Sequence, residues 1–213
     1  NKKNKNFYKS HALEELIISY SNINDIKKII KKTNSTFLFG CGLEINSESS
    51  KILELLLKSK NKLVIDASSF SLIKKNLKKF FSLLKFRRAE TILTPHFGEF
   101  KRIFKNSENK IKDTISAASL TNSTILFKGN DTVISNQTGK TYINYFSSPY
   151  LATAGSGDVL AGIIASLLAQ KYKALNAGVL GCWLHSQAAI KINKNFTAKD
   201  IIDILPKILK KFS

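Results

Sequence analysis

A glycine-rich segment that ends in an acidic residue carries the strongest chemical signal in the chain. Residues 152–158 read ATAGSGD and run directly into the apolar sequence VLAGIIASLLA. Small residues allow backbone N–H groups to turn toward one point, and the amino end of a helix attracts anions through its free N–H groups and its macrodipole. The segment therefore predicts a phosphate site at Gly155, Ser156 and Gly157, with Asp158 as a base or as the partner of a metal-bound phosphate. A tight turn before an ordinary first-turn acid explains this segment equally well on its own.

Two other segments place polar residues where a predicted strand ends. Lys128 and Gly129 follow a strand pattern in FKGNDTV, where an ammonium and backbone amides could hold a nucleotide phosphate. A hairpin corner is the commoner explanation of a Lys-Gly pair taken alone. In TPHFGE, Pro95 stops a strand and leaves His96 at the rim of the predicted sheet, beside Glu99.

The GCG of residues 40–42 and Asp66 follow two more predicted strands and complete a set of four strand ends. In an open α/β sheet, ligands collect at the carboxyl ends of the strands. The set therefore predicts one site at that edge of the sheet, although each segment alone is a weak signal. His11 and His185 lie outside these segments and are interpreted as structural or surface residues.

The elements that must position these residues alternate between strands and helices. Short apolar runs predict strands at 37–39, 63–65, 91–93 and 124–127 and a hairpin of strands at 132–135 and 141–145. Helical spacing of apolar residues predicts helices at 11–19, 24–32, 47–60, 70–80, from 98 onward, and at 109–121, 157–170, 173–193 and 198–211. This alternation predicts an α/β domain with a mostly parallel central sheet covered by helices on both faces.

The net charge of +19 could indicate a nucleic-acid partner. All but three of the 34 basic residues are lysine, however, whereas proteins that read nucleic acid favour arginine for bidentate contacts. The lysines are scattered along predicted helix surfaces, which indicates a solvated face. We therefore expect no nucleic-acid partner, although a positive field would still attract polyanionic small molecules such as dinucleotides.

The remaining composition points to an ordinary cytoplasmic domain. The longest apolar run, residues 159–169, is shorter than the roughly 20 residues that cross a bilayer, so no membrane partner is expected. Cys41 and Cys182 have no Cys or His neighbours at the spacing of metal ligands. This spacing argues against a structural zinc site and favours a reduced compartment, with Cys182 as a small core residue.

Taken in order, five segments identify a family. GCGL, IDAS, TPHFGE, FKGNDTVI and LATAGSGDVLAGIIASLLAQ together resemble the ADP/ATP-dependent NAD(P)H-hydrate dehydratase family, a branch of the ribokinase-like superfamily. The resemblance covers about residues 37–195 and implies a ribokinase-like three-layer αβα domain. It also implies dehydration of the 6-hydroxy adduct of NADH or NADPH, with ADP or ATP and Mg²⁺. The nucleotide would phosphorylate the hydroxyl group of the adduct, which would then leave as phosphate.

The resemblance also assigns roles to the residues that match the family's motifs. The adenine nucleotide would contact Lys128, Gly129, Asn130, Asp131, Thr132 and Gly157. The hydrated dinucleotide would contact Gly42, His96 and Asp158, with Asp158 as catalytic base. The amides of Gly155, Ser156 and Gly157 would stabilise charge on the moving phosphoryl group. No side chain is assigned as a metal ligand, and a homotetramer is implied.

Several segments depart from the family's pattern. GCGLE stands at 40–44 where the family usually has GPGLG, Phe97 replaces the second proline of TPHPGE, and Ser68 replaces the second acid of DAD. The family's glycine-rich opening strand and helix have no counterpart before residue 37. We therefore expect one dehydratase domain over residues 1–213, without the family's N-terminal segment.

Three alternatives remain open at this point. A ribokinase-like kinase acting on a vitamin-precursor alcohol would share the glycine-rich turn and Asp158, although TPHFGE and the long ATAGSGDVLAGI run favour the dehydratase. A basic nucleic-acid-binding protein is suggested by charge alone. An inactive relative would keep the fold without binding nucleotide.

Overall fold

Among the residues that the structure describes, six strands form one sheet whose spatial order is the same as their order in the chain. A computed structural model of the protein describes residues 16, 18–32 and 34–211. The strands are β1 (Thr36–Phe39), β2 (Lys62–Ile65), β3 (Thr91–Leu93), β4 (Thr124–Phe127), β5 (Thr132–Ser135) and β6 (Thr141–Asn144). Neighbouring strands are parallel from β1 to β4, and β4, β5 and β6 pair in antiparallel fashion. The predicted mostly parallel sheet is confirmed.

Nine helices in the described ranges accompany this sheet. They are α1 (Ile23–Lys32), α2 (Ser47–Lys58), α3 (Ser69–Lys75), α4 (Leu77–Lys85), α5 (Phe97–Ile103), α6 (Lys110–Thr121), α7 (Ser156–Ala169), α8 (Ala174–Ile192) and α9 (Ala198–Leu209). None of these helices combines the length and the apolar composition needed to cross a membrane.

The period-two alternation of the strands divides the core between two faces of the sheet. Leu63 and Ile65 of β2 pack with residues of α1 to α6, whereas Val64 packs with α7, α8 and α9. Successive side chains of a strand point to opposite faces of the sheet, so a fully apolar strand has buried side chains on both faces. The result is the three-layer αβα arrangement that the sequence predicts.

The prediction of a single helix at residues 70–80 is wrong, because two helices, α3 and α4, occupy this region. Asn76 separates α3 from α4 with φ −151° and ψ 68°, and its side chain accepts a hydrogen bond from the N–H of Lys79. Asparagine competes for backbone N–H groups in this way and therefore favours a helix start over a helix interior. The helix predicted at residues 11–19 lies largely outside the described residues.

Arg87 joins α2 to the sheet from a buried position. It is 6% exposed and donates from Nε to Thr91 Oγ1 at 2.7 Å. Its guanidinium also donates to the carbonyl oxygens of Leu56, Leu57, Ser59 and Asn61. Burial lowers the pKa of Arg87 to about 10, so the group is charged at neutral pH. This cation satisfies the last carbonyls of α2, where the helix dipole favours positive charge.

Replacing Arg87 by Met is expected to lower the free energy of unfolding by about 3–5 kcal/mol, because several buried carbonyl groups lose their donor. Urea unfolding followed by circular dichroism measures this change. Arg88→Met is the matched control, since Arg88 is exposed and surface substitutions usually change stability by about 0.5 kcal/mol or less. A loss below about 1 kcal/mol for Arg87→Met would show that the buried cation has little structural role.

Candidate active site

An ion pair lies at the carboxyl edge of the sheet, where the sequence predicts the site. Asp66 directly follows β2 and is 1% exposed. Its Oδ1 accepts from the Nζ of Lys128, which follows β4, and from the Oγ1 of Thr94, which follows β3, each at 2.8 Å. Parallel strands end at the same edge, so three residues distant in sequence meet here. The ammonium of Lys128 is therefore held in one position.

The turn after β1 brings a thiol to the same place. Gly40 has φ +130°, and a Cβ added there would lie 1.7 Å from the carbonyl oxygen of Asp66, so only glycine permits this approach. The Sγ of Cys41 then lies 3.9 Å from Asp66 Oδ2 and within 4.8 Å of a carboxylate oxygen of Asp158. Burial first, and then the nearby Asp158 carboxylate, raise the pKa of Cys41 to about 12. The thiol is therefore protonated at neutral pH.

The amino end of α7 faces this cluster. Gly155 precedes the helix in the left-handed region, with φ 81°. Among the described residues, the N–H groups of Gly157 and Asp158 have no acceptor, as expected for the first turn of a helix. The Nζ of Lys128 lies 3.6 Å from the position of a Cβ added to Gly157. Free amides, an ammonium and the exposed carboxylate of Asp158 are thus close together.

Ser156 differs from its predicted role in the anion site. Its N–H donates to the carbonyl oxygen of Thr153 at 3.3 Å. Its hydroxyl is turned into the core, where it donates to Leu151 O at 2.8 Å and lies 3.4 Å from His185 Nε2. Ser156 is 3% exposed and has no free donor for a phosphate. The predicted amides of Gly155 and Gly157 have no acceptor among the described residues, and neither does the N–H of Asp158.

His185 contacts the amino end of α7 through the hydroxyl of Ser156. It lies in the middle of α8 and is 5% exposed, which agrees with a structural role. Burial lowers the pKa of His185 to about 4, so the imidazole is neutral at physiological pH. A neutral ring can share a hydrogen bond with the Ser156 hydroxyl in either direction.

The buried imidazole predicts a specific loss of stability in acid. The unfolded chain takes up the His185 proton near pH 6.5, before the folded chain does, so this contribution is complete above pH 6.5 and falls as the pH approaches 4. Urea unfolding of the wild type at pH 7 and pH 4.5 is expected to show about 2–3 kcal/mol of loss from this source. His185→Gln lacks the titrating group, and equal losses in the two proteins would contradict the assignment.

His96 begins α5 at the rim of the site. Its ring accepts from the N–H of Glu99 at 3.3 Å, while Glu99 Oε2 accepts from the N–H of His96 at 2.9 Å, which forms a capping box. Burial raises the pKa of Glu99 above its usual range. The N–H of Lys128 donates to Pro95 O at 2.8 Å. This bond connects the segment before α5 to the ion pair of Asp66 and Lys128. The His96 side chain is 57% exposed and can still face a ligand.

The turn from Gly129 to Thr132 holds the other predicted nucleotide contacts. Asn130 and Asp131 are exposed at the rim, and Asp131 Oδ1 pairs with Lys110 Nζ at 3.0 Å. Thr132 is buried, and its hydroxyl donates to Gly129 O at 3.1 Å. These contacts stabilise the turn, and the hydroxyl of Thr132 already donates its hydrogen bond within the turn.

The donor set is compatible with Mg²⁺ held jointly by the protein and a nucleotide. Cys41, Asp66 and Asp158 each offer one ligand atom, and these atoms all lie within 4.8 Å of one another. Mg²⁺ prefers oxygen and is usually bound by one or two carboxylates, phosphates and water. Since Asp66 Oδ1 already accepts from Lys128 and Thr94, Asp158 is the carboxylate with the most freedom to bind the ion.

The structure brings together Gly157, Asp158 and Lys128, and it places Gly42, next to Cys41, at the same edge of the sheet. Cys41, Asp66 and Thr94, which the sequence places at predicted strand ends without assigning them a role, lie in the same cluster. The position of Asp66 at a strand end was a usable signal. Its pairing with Lys128 was not visible, because the two residues are 62 positions apart.

Comparison with known proteins identifies the family. The family model described as NAD(P)H-hydrate dehydratase matches residues 1–211. A bifunctional NAD(P)H-hydrate repair enzyme Nnr from Thermosynechococcus vestitus is 36% identical over 163 residues, which are 74% of this chain and 31% of the relative. The Nnr enzyme of Dictyoglomus turgidum is 32% identical over 204 residues, 89% of this chain and 38% of the relative. The chain thus spans about a third of the length of the curated relatives it matches.

Solved structures agree on the fold. A ribokinase-like superfamily protein from Enterococcus faecalis V583 superposes with a TM-score of 0.84 at 25% identity, covering 99% of this chain and 75% of that one. An ADP/ATP-dependent NAD(P)H-hydrate dehydratase from Bacillus subtilis, co-crystallised with ATP and Mg²⁺, gives 0.70 at 24% identity, covering 84% and 65%. The chain therefore has a ribokinase-like fold and belongs to the NAD(P)H-hydrate dehydratase family.

Proposed function

We propose that this chain catalyses the ADP- or ATP-dependent dehydration of the 6-hydroxy adduct of NADH or NADPH. Membership of the dehydratase family supports the reaction. The observation that carries the proposal is the exposed carboxylate of Asp158 at the amino end of α7, beside two free amides and the ammonium of Lys128. A base next to an anion site is the arrangement that phosphoryl transfer to a hydroxyl group requires.

The phosphates of the nucleotide are proposed to lie against the N–H groups of Gly157 and Asp158. Lys128 would donate to the same phosphates, because its Nζ lies beside Gly157 and is held there by Asp66. Donors fixed in advance stabilise developing charge without having to reorganise during the reaction. Mg²⁺ would neutralise phosphate charge when bound with the nucleotide, held by one carboxylate oxygen of Asp158, whose other oxygen stays free to accept a proton.

Asp158 is proposed to accept the proton of the adduct's hydroxyl group while that oxygen bonds to the terminal phosphorus. The bond from phosphorus to the nucleotide's bridging oxygen breaks, so the nucleotide leaves one phosphate shorter. The new phosphate ester then departs from the ring as inorganic phosphate, and the neighbouring ring carbon loses a proton to form the double bond. Phosphate is a far better leaving group than hydroxide, which is the purpose of the nucleotide.

Gly42 and His96 are proposed to contact the dinucleotide at the rim. Gly42 has φ +61°, and a Cβ added there would have no atom within 4 Å, so its backbone borders open space. The His96 side chain, at the start of α5, is more than half exposed. Asn130 and Asp131, on the exposed turn after Lys128, are proposed to lie along the nucleotide.

The proposal is tested by incubating the chain with hydrated NADH, Mg²⁺ and either ADP or ATP. We expect the absorbance of the reduced nicotinamide to return, together with one equivalent of phosphate, only when a nucleotide is present. The same assay with hydrated NADPH compares the two adducts. Failure of absorbance to return with either nucleotide and either adduct would overturn the proposal.

A further inference from the structure

A thiol and two carboxylates from three different elements converge at the candidate site. Cys41 follows β1, Asp66 follows β2, and Asp158 lies in the first turn of α7. Their ligand atoms lie within 4.8 Å of one another, and Cys41 Sγ is 3.9 Å from Asp66 Oδ2. In a tetrahedral zinc site, metal–ligand bonds of about 2.0–2.3 Å separate the ligands by about 3.5 Å. Small movements of the exposed Asp158 side chain would reach this geometry.

The second oxygen of Asp66 has no strong hydrogen-bond donor. Oδ1 accepts from both Lys128 and Thr94, whereas the thiol of Cys41 is the sole donor to Oδ2 among the described residues. The carboxylate is 1% exposed, so water does not readily replace that donor. A thiol is a weak donor, and buried carboxylate oxygens are ordinarily well satisfied. Oδ2 is therefore a fixed, buried oxygen directed at the Cys41 sulfur and available to a cation.

The charges at this point also suit a divalent cation. With a thiolate and two carboxylates the three ligands would carry three negative charges, and the cation would offset two of them. The Lys128 ammonium, 2.8 Å from Asp66 Oδ1, would offset the third. The complete cluster would thus be neutral beside the buried Asp66 carboxylate, where an uncompensated charge is costly.

We propose that Cys41, Asp66 and Asp158 form a binding site for a thiophilic divalent cation such as Zn²⁺. A sulfur ligand selects Zn²⁺ or Cd²⁺ over Mg²⁺, which prefers oxygen ligands alone. On binding, a sulfur–metal bond forms, the S–H bond breaks and its proton passes to solvent. Three protein ligands leave a fourth position for water. Because Asp158 is the proposed base, occupancy of this site would also inhibit dehydration, a consequence that rests on the proposed function.

Titration with Co²⁺ in the absence of nucleotide tests the site without any enzymatic assay. Cobalt bound to a thiolate gives a sulfur-to-metal charge-transfer band in the near ultraviolet. We expect the wild type to show this band, saturating at one Co²⁺ per chain. Added Zn²⁺ should abolish the band, and a large excess of Mg²⁺ should leave it in place. This readout does not depend on whether the chain dehydrates the adduct, so the two proposals can fail separately.

Matched variants assign the band to this cluster. Cys41→Ser is expected to remove it, whereas Cys182→Ser should keep it, because Cys182 is a buried thiol of α8 outside the cluster. Asp158→Asn, which leaves both thiols intact, should weaken Co²⁺ binding at least tenfold. The proposal is overturned by a wild type without the band, by a band that survives in Cys41→Ser, or by unchanged affinity in Asp158→Asn.

Discussion

Replacing Asp158 by Asn is expected to lower kcat/KM for hydrated NADH by about a thousandfold while the protein remains folded. Removal of a general base typically costs about 10²–10⁴-fold in rate. The amide has nearly the same shape as the carboxylate, and Asp158 is exposed at the start of α7. Loss of a first-turn acid should cost less than about 1 kcal/mol of stability. Steady-state kinetics and thermal unfolding measure the two effects separately.

Asp203→Asn is the matched control for this change. Asp203 is also an exposed acid, but it lies on α9, pairs with Lys199 at 2.6 Å and is not among the residues assigned to the proposed site. We expect the control to keep wild-type kcat and KM. If Asp158→Asn keeps activity within tenfold of the wild type, Asp158 is not the base, whatever the outcome for the control.

Replacing Lys128 by Met is expected to raise the dissociation constant for ADP about ten- to hundredfold. A hydrogen bond from a charged group is worth about 1.5–3 kcal/mol, which corresponds to this range. Affinity for the dinucleotide should change much less, because the ammonium is proposed to face the nucleotide phosphates. Calorimetric titrations with each ligand measure both affinities. Lys173→Met removes one exposed lysine elsewhere and controls for the general loss of positive charge.

The Lys128 substitution also leaves Asp66 buried without its cation, which would itself destabilise the fold by about 3–5 kcal/mol. The double variant Asp66→Asn with Lys128→Met removes both charges and should recover much of this stability. It should not recover ADP affinity, because the ammonium is still absent. Recovery of ADP binding in the double variant would show that Lys128 acts only through the fold.

The architecture could be predicted because each strand and helix carries its own local signal. Short apolar runs such as 63–65 and 124–127 are typical of buried strands, and their alternation with helices predicts a parallel sheet. The break at Asn76 was missed because helical spacing of apolar residues continues across it. The helix boundary is set by the hydrogen bond from the N–H of Lys79 to the side chain of Asn76. This side chain takes the place of a backbone carbonyl as the acceptor, and the spacing of apolar residues contains no information about that exchange.

The location of the candidate site could be predicted from the sequence, but the contacts between its side chains could not. The glycine-rich segment and Lys128 stand out by residue type, and the rule for strand ends places them at one edge. The ion pair of Asp66 with Lys128 depends on the order of the strands in space. The inward turn of Ser156 depends on His185 and Leu151, which lie on other parts of the chain. Such contacts are tertiary, so no local pattern contains them.

The most direct measurement is a crystal structure of the chain with ADP and Mg²⁺. We expect the phosphates at the amino end of α7, accepting hydrogen bonds from the N–H groups of Gly157 and Asp158 and from Lys128 Nζ. The Asp158 carboxylate should face the space beside the terminal phosphate. Phosphates bound elsewhere on the molecule, or an Asp158 side chain directed away from them, would contradict the proposed chemistry.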